Sequence, residues 1–266
     1  MRLRDRIAIV VGAGQSPGEG IGNGRATALT FAREGARVLC VDRNVKSAQE
    51  TVDMIAAKGG TAMAFEADVT KEAEIKAMVE DAMRLWGRID ILHNNVGVSL
   101  AGGDTELSDI TEEAIDRCVA INLKSCIFAA KYTVPIMRHQ MSGAIINISS
   151  MAAITSYPYV AYKATKSAMI AFTEQLAYQN AEYGIRANVI LPGLMDTPMA
   201  VDTRAHAFKK SRAEVAAERD AKVPLRHKMG TGWDVANAAL FLASDEASFI
   251  TGVTLPVDGG ASARRG

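Results

Sequence analysis

Tyr162 and Lys166, in the run YKATK, are a pair whose types and spacing could move a proton. At i and i+4 both project from one helix face, and Met169, Thr173 and Leu176 continue that stripe toward packed structure. A cation near a phenol favours the phenolate and draws a pKa of about 10 toward the working range of a general acid/base. A surface pair with a snorkelling lysine has the same spacing, so the pair alone leaves both possibilities open. Asn122 raises a similar question. It lines up with Ile115, Val119 and Cys126 at helical spacing, which sets an amide into an apolar stripe where it needs hydrogen-bond partners. A satisfied core asparagine fits that pattern equally well.

The run VVGAGQSPGEGIGNGRATAL, residues 10–29, passes from an apolar strand end through a glycine cluster into a helix, the layout of a phosphate-binding turn. The strict G-x-G-x-x-G fingerprint fails at Pro17, and the P-loop fails because no Lys-Ser or Lys-Thr follows the last glycine. Asp42 ends the next apolar run, where a carboxylate accepts both hydroxyls of an adenosine ribose. Such an acidic residue belongs about 20 residues past the turn, which selects Gly22 rather than Gly12. The helix is therefore expected to start around Gly22 to Gly24, with Gln15 to Gly20 as an insertion. These six residues should project outward, because Pro17 offers no N–H and Glu19 would repel phosphates.

The elements that position these groups are apolar runs of strand length at 7–11, 37–42, 61–67, 89–94, 143–149, 185–191 and 252–257. Between them lie segments of helical period, such as EAEIKAMVEDAMRLW. Continuous apolar strands alternating with helices predict a single-domain α/β fold, a doubly wound parallel sheet of about seven strands with helices on both faces. Ligands bind such sheets beyond the carboxyl ends of the strands. The charged segment at about 199–228 is inserted before the last helix and is expected to be a lid or a solvated helix pair; Arg204, His206, Lys209, Lys210 and Arg212 on it could attract an acidic substrate or form a solvated face.

Thirty basic and thirty acidic residues spread along the chain leave no electrostatic footprint for nucleic acid or an anionic membrane, so the expected partner is a small molecule. Three cysteines without C-x-x-C spacing, and four histidines without ligand spacing, predict neither a disulfide framework nor a metal site. The uncharged run from Gln140 to Tyr162 is broken by Asn147, serines and Pro158 and reads as a buried strand and loop, not a membrane span. The opening MRLRDRIAIVV starts a strand without an apolar leader, so a cytoplasmic location is expected.

Together these motifs resemble the short-chain dehydrogenase/reductase family, over essentially the whole chain. With Gln15 to Gly20 set aside, residues Gly12 to Gly24 fall into that family's T-G-x-x-x-G-x-G turn, with Val11 at the usual Thr and Asn23 at the usual Ile. Asp68-Val69, NNVG at 94–97, YKATK, PGLMDTP at 192–198 and the terminal VDGG come in the family's order. The resemblance implies a Rossmann-like NAD-dependent oxidoreductase that interconverts a secondary alcohol and a ketone. Tyr162 would be the general acid/base, Lys166 would lower its pKa and hold the nicotinamide ribose, and Asn122 would hold a water linking Lys166 to solvent. Gly12, Gly22, Asn23 and Gly24 would face the pyrophosphate, Asp42 and Arg43 the adenosine ribose, and Asp68 and Val69 the adenine. Asn95, Val96 and Gly97 would border the ribose, and Pro192, Gly193, Met195 and Thr197 the carboxamide. Arg43 is also placed to pair with the 2′-phosphate of NADP.

The family's serine, which orients the substrate oxygen, often lies 13 residues before the tyrosine, which selects Ser149; aligning the strand INISSMAA selects Ser150. Ser150 is preferred, because loops vary in length whereas a one-residue shift in a strand reverses the side chain. Family members are commonly homotetramers, and the same is expected here. Two other classes share the glycine turn: a catalytically inactive dinucleotide-binding regulator, which would be expected to lack the tyrosine or lysine, and a methyltransferase, which would not require Tyr162, Lys166 and Asn122 together.

Overall fold

The central apolar runs fold as strands because each finds a helix layer on both sides, whereas the outer runs at 61–66 and 254–257 are only partly buried. The computed structural model describes residues 1–263. In chain order the strands are β1 (Ile7–Val11), β2 (Arg37–Asp42), β3 (Thr61–Glu66), β4 (Ile91–Asn94), β5 (Gly143–Ile148), β6 (Ile185–Pro192), the short β7 (Met195–Asp196) and β8 (Gly230–Thr231), and β9 (Thr254–Val257). Among the described residues, seven of them form one parallel sheet in the order β3-β2-β1-β4-β5-β6-β9, while β7 and β8 pair separately.

Helices α1 (Asn23–Arg33), α2 (Val45–Ala56) and α9 (Gly232–Ala243) cover one face, where Phe31, Val52, Ile55 and Leu240 pack with Ala8, Val10 and Val38. On the other face α3 (Glu72–Trp86), α5 (Ser125–Gln140) and α6 (Val160–Asn180) bring Ile75, Met78, Met137 and Leu176 against Ile9, Val11 and Leu39. Alternate residues of β1 thus enter opposite cores, which is why no polar position interrupts it. The chain leaves β1 toward β2 and later returns to its other side as β4, so a crevice opens at the carboxyl ends of these two strands. Asn95 spans it: its N–H donates to Val11 and its Nδ2 to the Gly12 carbonyl at 3.1 Å.

Two expectations need correction. Helical spacing puts Ile115 in the stripe of Asn122, but Ile115 is 41% exposed. Between α4 (Glu112–Val119) and α5 the helix widens into a π-turn over Ala120–Lys124, and its extra residue rotates α4 relative to α5. The segment 199–228 does form a helix pair, α7 (Asp202–Phe208) and α8 (Arg212–Asp220), but it is not merely solvated: Val201, Val215, Val223 and Met229 make a small core of their own.

Cys40, Cys118 and Cys126 are free and buried. His93 is buried edge-on to Phe31 without a hydrogen-bond partner among the described residues, and burial pushes its imidazole down to about 3, so it is a neutral core residue. His139, His206 and His227 lie at least partly open to solvent. Among the described residues no helix is long and apolar enough to cross a membrane, and no group of three His, Cys, Asp or Glu is arranged to hold a metal.

Candidate active site

Lys166 is 2% exposed, so the snorkelling surface pair is excluded. Its Nζ donates to the Ile148 carbonyl at the end of β5, at 2.7 Å. A side chain at residue 97 would lie 3.1 Å from that Nζ, so Gly97 is what lets the ammonium come this close to the loop after β4. Burial holds the ammonium down to about 8. Helix α6 is anchored by a buried polar chain, in which Asn94 Nδ2 donates to Asn147 Oδ1 at 2.8 Å and Asn147 Nδ2 to Thr173 Oγ1 at 2.9 Å.

The two serines separate cleanly. Ser149 is buried and its Oγ donates to the Lys166 carbonyl at 2.7 Å, so it braces α6 and faces away from the tyrosine hydroxyl. The Ser150 side chain instead lies on the Tyr162 side, close enough to draw the phenol down, and its Oγ accepts the Ala152 N–H at 3.2 Å. The alternation along the strand end makes this division, and it favours Ser150 as the residue beside the acid/base.

One expectation about the tyrosine differs. Loss of water pushes the half-buried Tyr162 phenol up to about 12, while the nearby Ser150 hydroxyl and the charge of Arg204 pull it down and Tyr157 and Asp104 add to the rise. Lys166 does not offset the burial: its Nζ lies 5.8 Å from the Tyr162 ring centroid and is turned to Ile148.

Asn122 is fully buried and its amide is saturated. Oδ1 accepts the Val98 N–H at 2.7 Å, and Nδ2 donates to the Val98 carbonyl at 2.9 Å and to Thr165 Oγ1 at 3.1 Å. The side chain therefore ties the loop after β4 to α6, while the main-chain carbonyl in the widened π-turn accepts the Cys126 thiol at 3.7 Å. Asp104 carries no such signal in the sequence. Its buried carboxylate accepts the N–H groups of Ala161 and Tyr162 at 2.9 and 3.0 Å and the Ser99 hydroxyl at 3.2 Å. Ser99 in turn bonds the Tyr157 hydroxyl at 3.2 Å, and the Tyr157 ring lies 5.5 Å from that of Tyr162.

On the other side of the crevice, Gly22 caps α1 with no side-chain cap, as the spacing from Asp42 predicts. The free N–H groups and dipole of this helix start favour an anion. Gly12 has φ +83°, and a Cβ on Gly24 would fall on the Gly12 carbonyl, so both positions need glycine for the turn to fold this tightly. Asn23 heads the helix with its Oδ1 buried and unpartnered among the described residues. Asp42 accepts the N–H groups of Gly14 at 3.1 Å and Asn44 at 2.9 Å, one on each oxygen, and keeps further lone pairs. A tight glycine turn, an open helix start and a carboxylate at the end of β2 fit a nicotinamide dinucleotide.

Arg43 borders a cleft shared with Glu66, Asp68, Lys71 and Glu74. The Asp68 carboxyl is held below its usual range by hydrogen bonds from Thr70, and Val69 beside it is buried. Val96 lies against the Gly12 turn. Pro192 ends β6, Gly193 donates its N–H to Val257 and Met195 starts β7. Thr197 is buried and accepts the Ala200 N–H on its hydroxyl.

The insertion divides in two. Residues 16–20 are exposed, but Gln15 belongs to the turn: its N–H donates to Ser47 Oγ at 3.0 Å and its Oε1 accepts the Gly22 N–H at 3.1 Å. The exposed part reaches the α7–α8 segment, where the Glu19 N–H donates to Asp202 and Arg212 lies 3.7 Å from the Glu19 carboxylate.

A family model described as enoyl-(acyl carrier protein) reductase matches residues 17–262. An uncharacterized oxidoreductase of Bacillus subtilis is 36% identical, over 97% of this chain and 92% of its own. A 2,5-dichloro-2,5-cyclohexadiene-1,4-diol dehydrogenase of Sphingobium indicum is 35% identical, over 97% of each chain. The crystal structure of levodione reductase superposes with a TM-score of 0.92 at 30% identity, covering 99% of this chain and 100% of that one.

Proposed function

Because this chain belongs to the short-chain dehydrogenase/reductase family of oxidoreductases, we propose that it interconverts a secondary alcohol and a ketone with NAD(H), with Tyr162 as general acid/base. The observation that carries this reading is a fully buried Lys166 whose Nζ lies 5.8 Å from the Tyr162 ring, with Ser150 on the same side, at the carboxyl end of the sheet. The glycine turn, the α1 start and Asp42 would hold the dinucleotide, which supplies or accepts the hydride when bound.

The protein's own groups handle the proton. Ser150 orients the substrate oxygen. Tyr162, with its phenol at about 12, is protonated at neutral pH and set to donate to the oxygen of a ketone. In the opposite direction it must first lose that proton, so alcohol oxidation should rise with pH across the alkaline range while ketone reduction does not. Lys166 keeps N–H donors for the nicotinamide ribose, and Asn122 would hold a water in its proton path. The α7–α8 segment would close over the substrate, and a homotetramer is the assembly we expect.

Tyr162→Phe tests the assignment. Removing a positioned acid/base should lower kcat by about 10² to 10⁴-fold while NAD affinity, read by calorimetry, stays near wild type. Retention of more than about a tenth of the wild-type rate would show that the proton moves elsewhere.

A further inference from the structure

Three arginines of the α7–α8 segment have very different surroundings. Arg212 is saturated with anions: it pairs with Asp196 at 2.5 Å, Asp202 at 3.4 Å and Glu19 at 3.7 Å. Arg204 and Arg219 have no carboxylate within ion-pair distance among the described residues. Arg204 spends one N–H on the Ala200 carbonyl at 2.9 Å. Arg219 donates to the Met195 carbonyl at 3.4 Å and lies 3.3 Å from the Met229 thioether, both neutral and the second a weak acceptor. Each guanidinium carries five N–H donors, so most remain unspent.

These two cations are only partly exposed and lie close enough to each other and to the candidate active site to act on its tyrosines. Loss of water, then the charge of Arg204, push Arg219 down to about 10, and the Tyr157 hydroxyl acts on it from the other side. Arg204 is close enough to draw down the Tyr162 phenol. Met195, which holds Arg219, lies in the PGLMDTP segment that would border the nicotinamide end of the crevice. Two like charges held close together and partly out of water are unfavourable unless something neutralises them. Acidic side chains do so for Arg212, and the described residues offer none to Arg204 and Arg219.

We infer that Arg204 and Arg219 bind an oxyanion carried by the substrate, a carboxylate or sulfonate, so that the alcohol or ketone is a hydroxy acid or its oxo counterpart. This rests on the oxidoreductase reading and adds the substrate class to it. The anion sits on the α7–α8 side of the pocket, and the carbinol or carbonyl carbon reaches back to Ser150 and Tyr162. Arginine suits the task because its planar fork meets two oxygens at once and stays charged despite partial burial.

The test uses secondary hydroxy acids of graded chain length, starting with β-hydroxybutyrate, each beside its methyl ester, together with the matching sulfonates. Oxidation is followed by nicotinamide absorbance with NAD and with NADP. The expected kcat/KM for at least one acid or sulfonate exceeds that of its neutral partner by about tenfold or more. Arg204→Gln and Arg219→Gln should each collapse that ratio toward one, chiefly through KM, and Arg219→Lys should keep part of it. Esters turned over as well as their acids overturn the anion site and leave the oxidoreductase standing. Variants that lose acid and ester alike also overturn it, since the arginines would then be supporting the fold. If neither acids nor neutral alcohols are oxidised with either nicotinamide, the oxidoreductase assignment fails, and the anion site with it.

Discussion

Asp104 accepts the backbone N–H of Tyr162 at 3.0 Å from fifty-eight residues away in the chain, and that of Ala161 at 2.9 Å. The first turn of α6 has no cap from its own sequence, because Tyr159 precedes it and makes no side-chain cap bond. A carboxylate from the loop after β4 fills that role, favoured by the helix dipole, and fixes the turn that bears the acid/base. Asp104→Ala leaves these donors unsatisfied in a buried setting. It should cost about 2 to 4 kcal/mol of stability and lower kcat, with Asp104→Asn intermediate. Urea denaturation beside steady-state kinetics checks this; unchanged stability in Asp104→Ala would mean that the carboxylate is not the cap.

Lys166 gives a prediction of opposite sign. Its pKa falls from 10.5 unfolded to about 8 folded, so the folded state binds the proton more weakly. Below pH 8 both states are protonated and the folded protein bears the full penalty, about 3 kcal/mol as an upper figure. Between pH 8 and 10.5 only the unfolded state holds the proton firmly, and stability from this group recovers as pH rises. Lys166→Met should therefore be at least as stable as wild type at pH 7, lose that advantage by about pH 10.5, and be inactive. Melting curves across this range decide it; a variant less stable at pH 7 whose deficit does not change with pH would show that the ammonium is not destabilising.

The strands are legible from sequence because a sheet buried on both faces leaves unbroken apolar runs, and Asp42 with Gly22 locates the helix start by spacing alone. Tyr162, Lys166 and Asn122 are legible as a pattern because side chains on one helix face recur at fixed intervals. Asp104 is not, since it bonds backbone N–H groups, which any residues would supply. Nor is Arg219 separable from the charges around it: only the packing of α7 and α8 shows that Arg212 is neutralised and Arg219 is not. The π-turn is equally hidden, because one extra residue in a helix changes the face of Ile115 without altering any local propensity.

Asp42 should set a preference for NAD. A carboxylate at this position accepts ribose hydroxyls and repels a 2′-phosphate, and hydrogen bonds to charged groups are worth about 1.5 to 3 kcal/mol. The cleft beside Arg43 is balanced, with Lys46 and Lys71 against Glu66, Asp68 and Glu74, so Arg43 is the one feature that could offset Asp42. The ratio of kcat/KM for NAD over NADP should be about tenfold or more, and Asp42→Ser should bring it close to one. Equal values in the wild type would place Arg43 in control.

The insertion should matter to the α7–α8 segment more than to the dinucleotide. Residues 16–20 are exposed, and their inward contacts go to Asp202 and Arg212, so the exposed stretch tethers the start of α7 and of α8 to the glycine turn. Gln15 is different, since its amide oxygen takes the Gly22 N–H, and losing it frees a donor at the helix start that a phosphate can use. Deleting Gln15 to Gly20 restores the shorter turn and frees the Gly22 N–H from Gln15. NAD affinity should then stay within about tenfold, or roughly 1.4 kcal/mol, while Arg212 keeps Asp196 and Asp202 but loses its third partner. Amide exchange in residues 202–220 should accelerate, because the segment has lost a tether and its own core is small. Calorimetric titration with NAD, a thermal melt and hydrogen exchange read these effects separately. A folded deletion variant that lost NAD affinity by far more than tenfold would make the insertion part of the dinucleotide site, and unchanged exchange over 202–220 would mean that its contacts with Asp202 and Arg212 hold nothing in place.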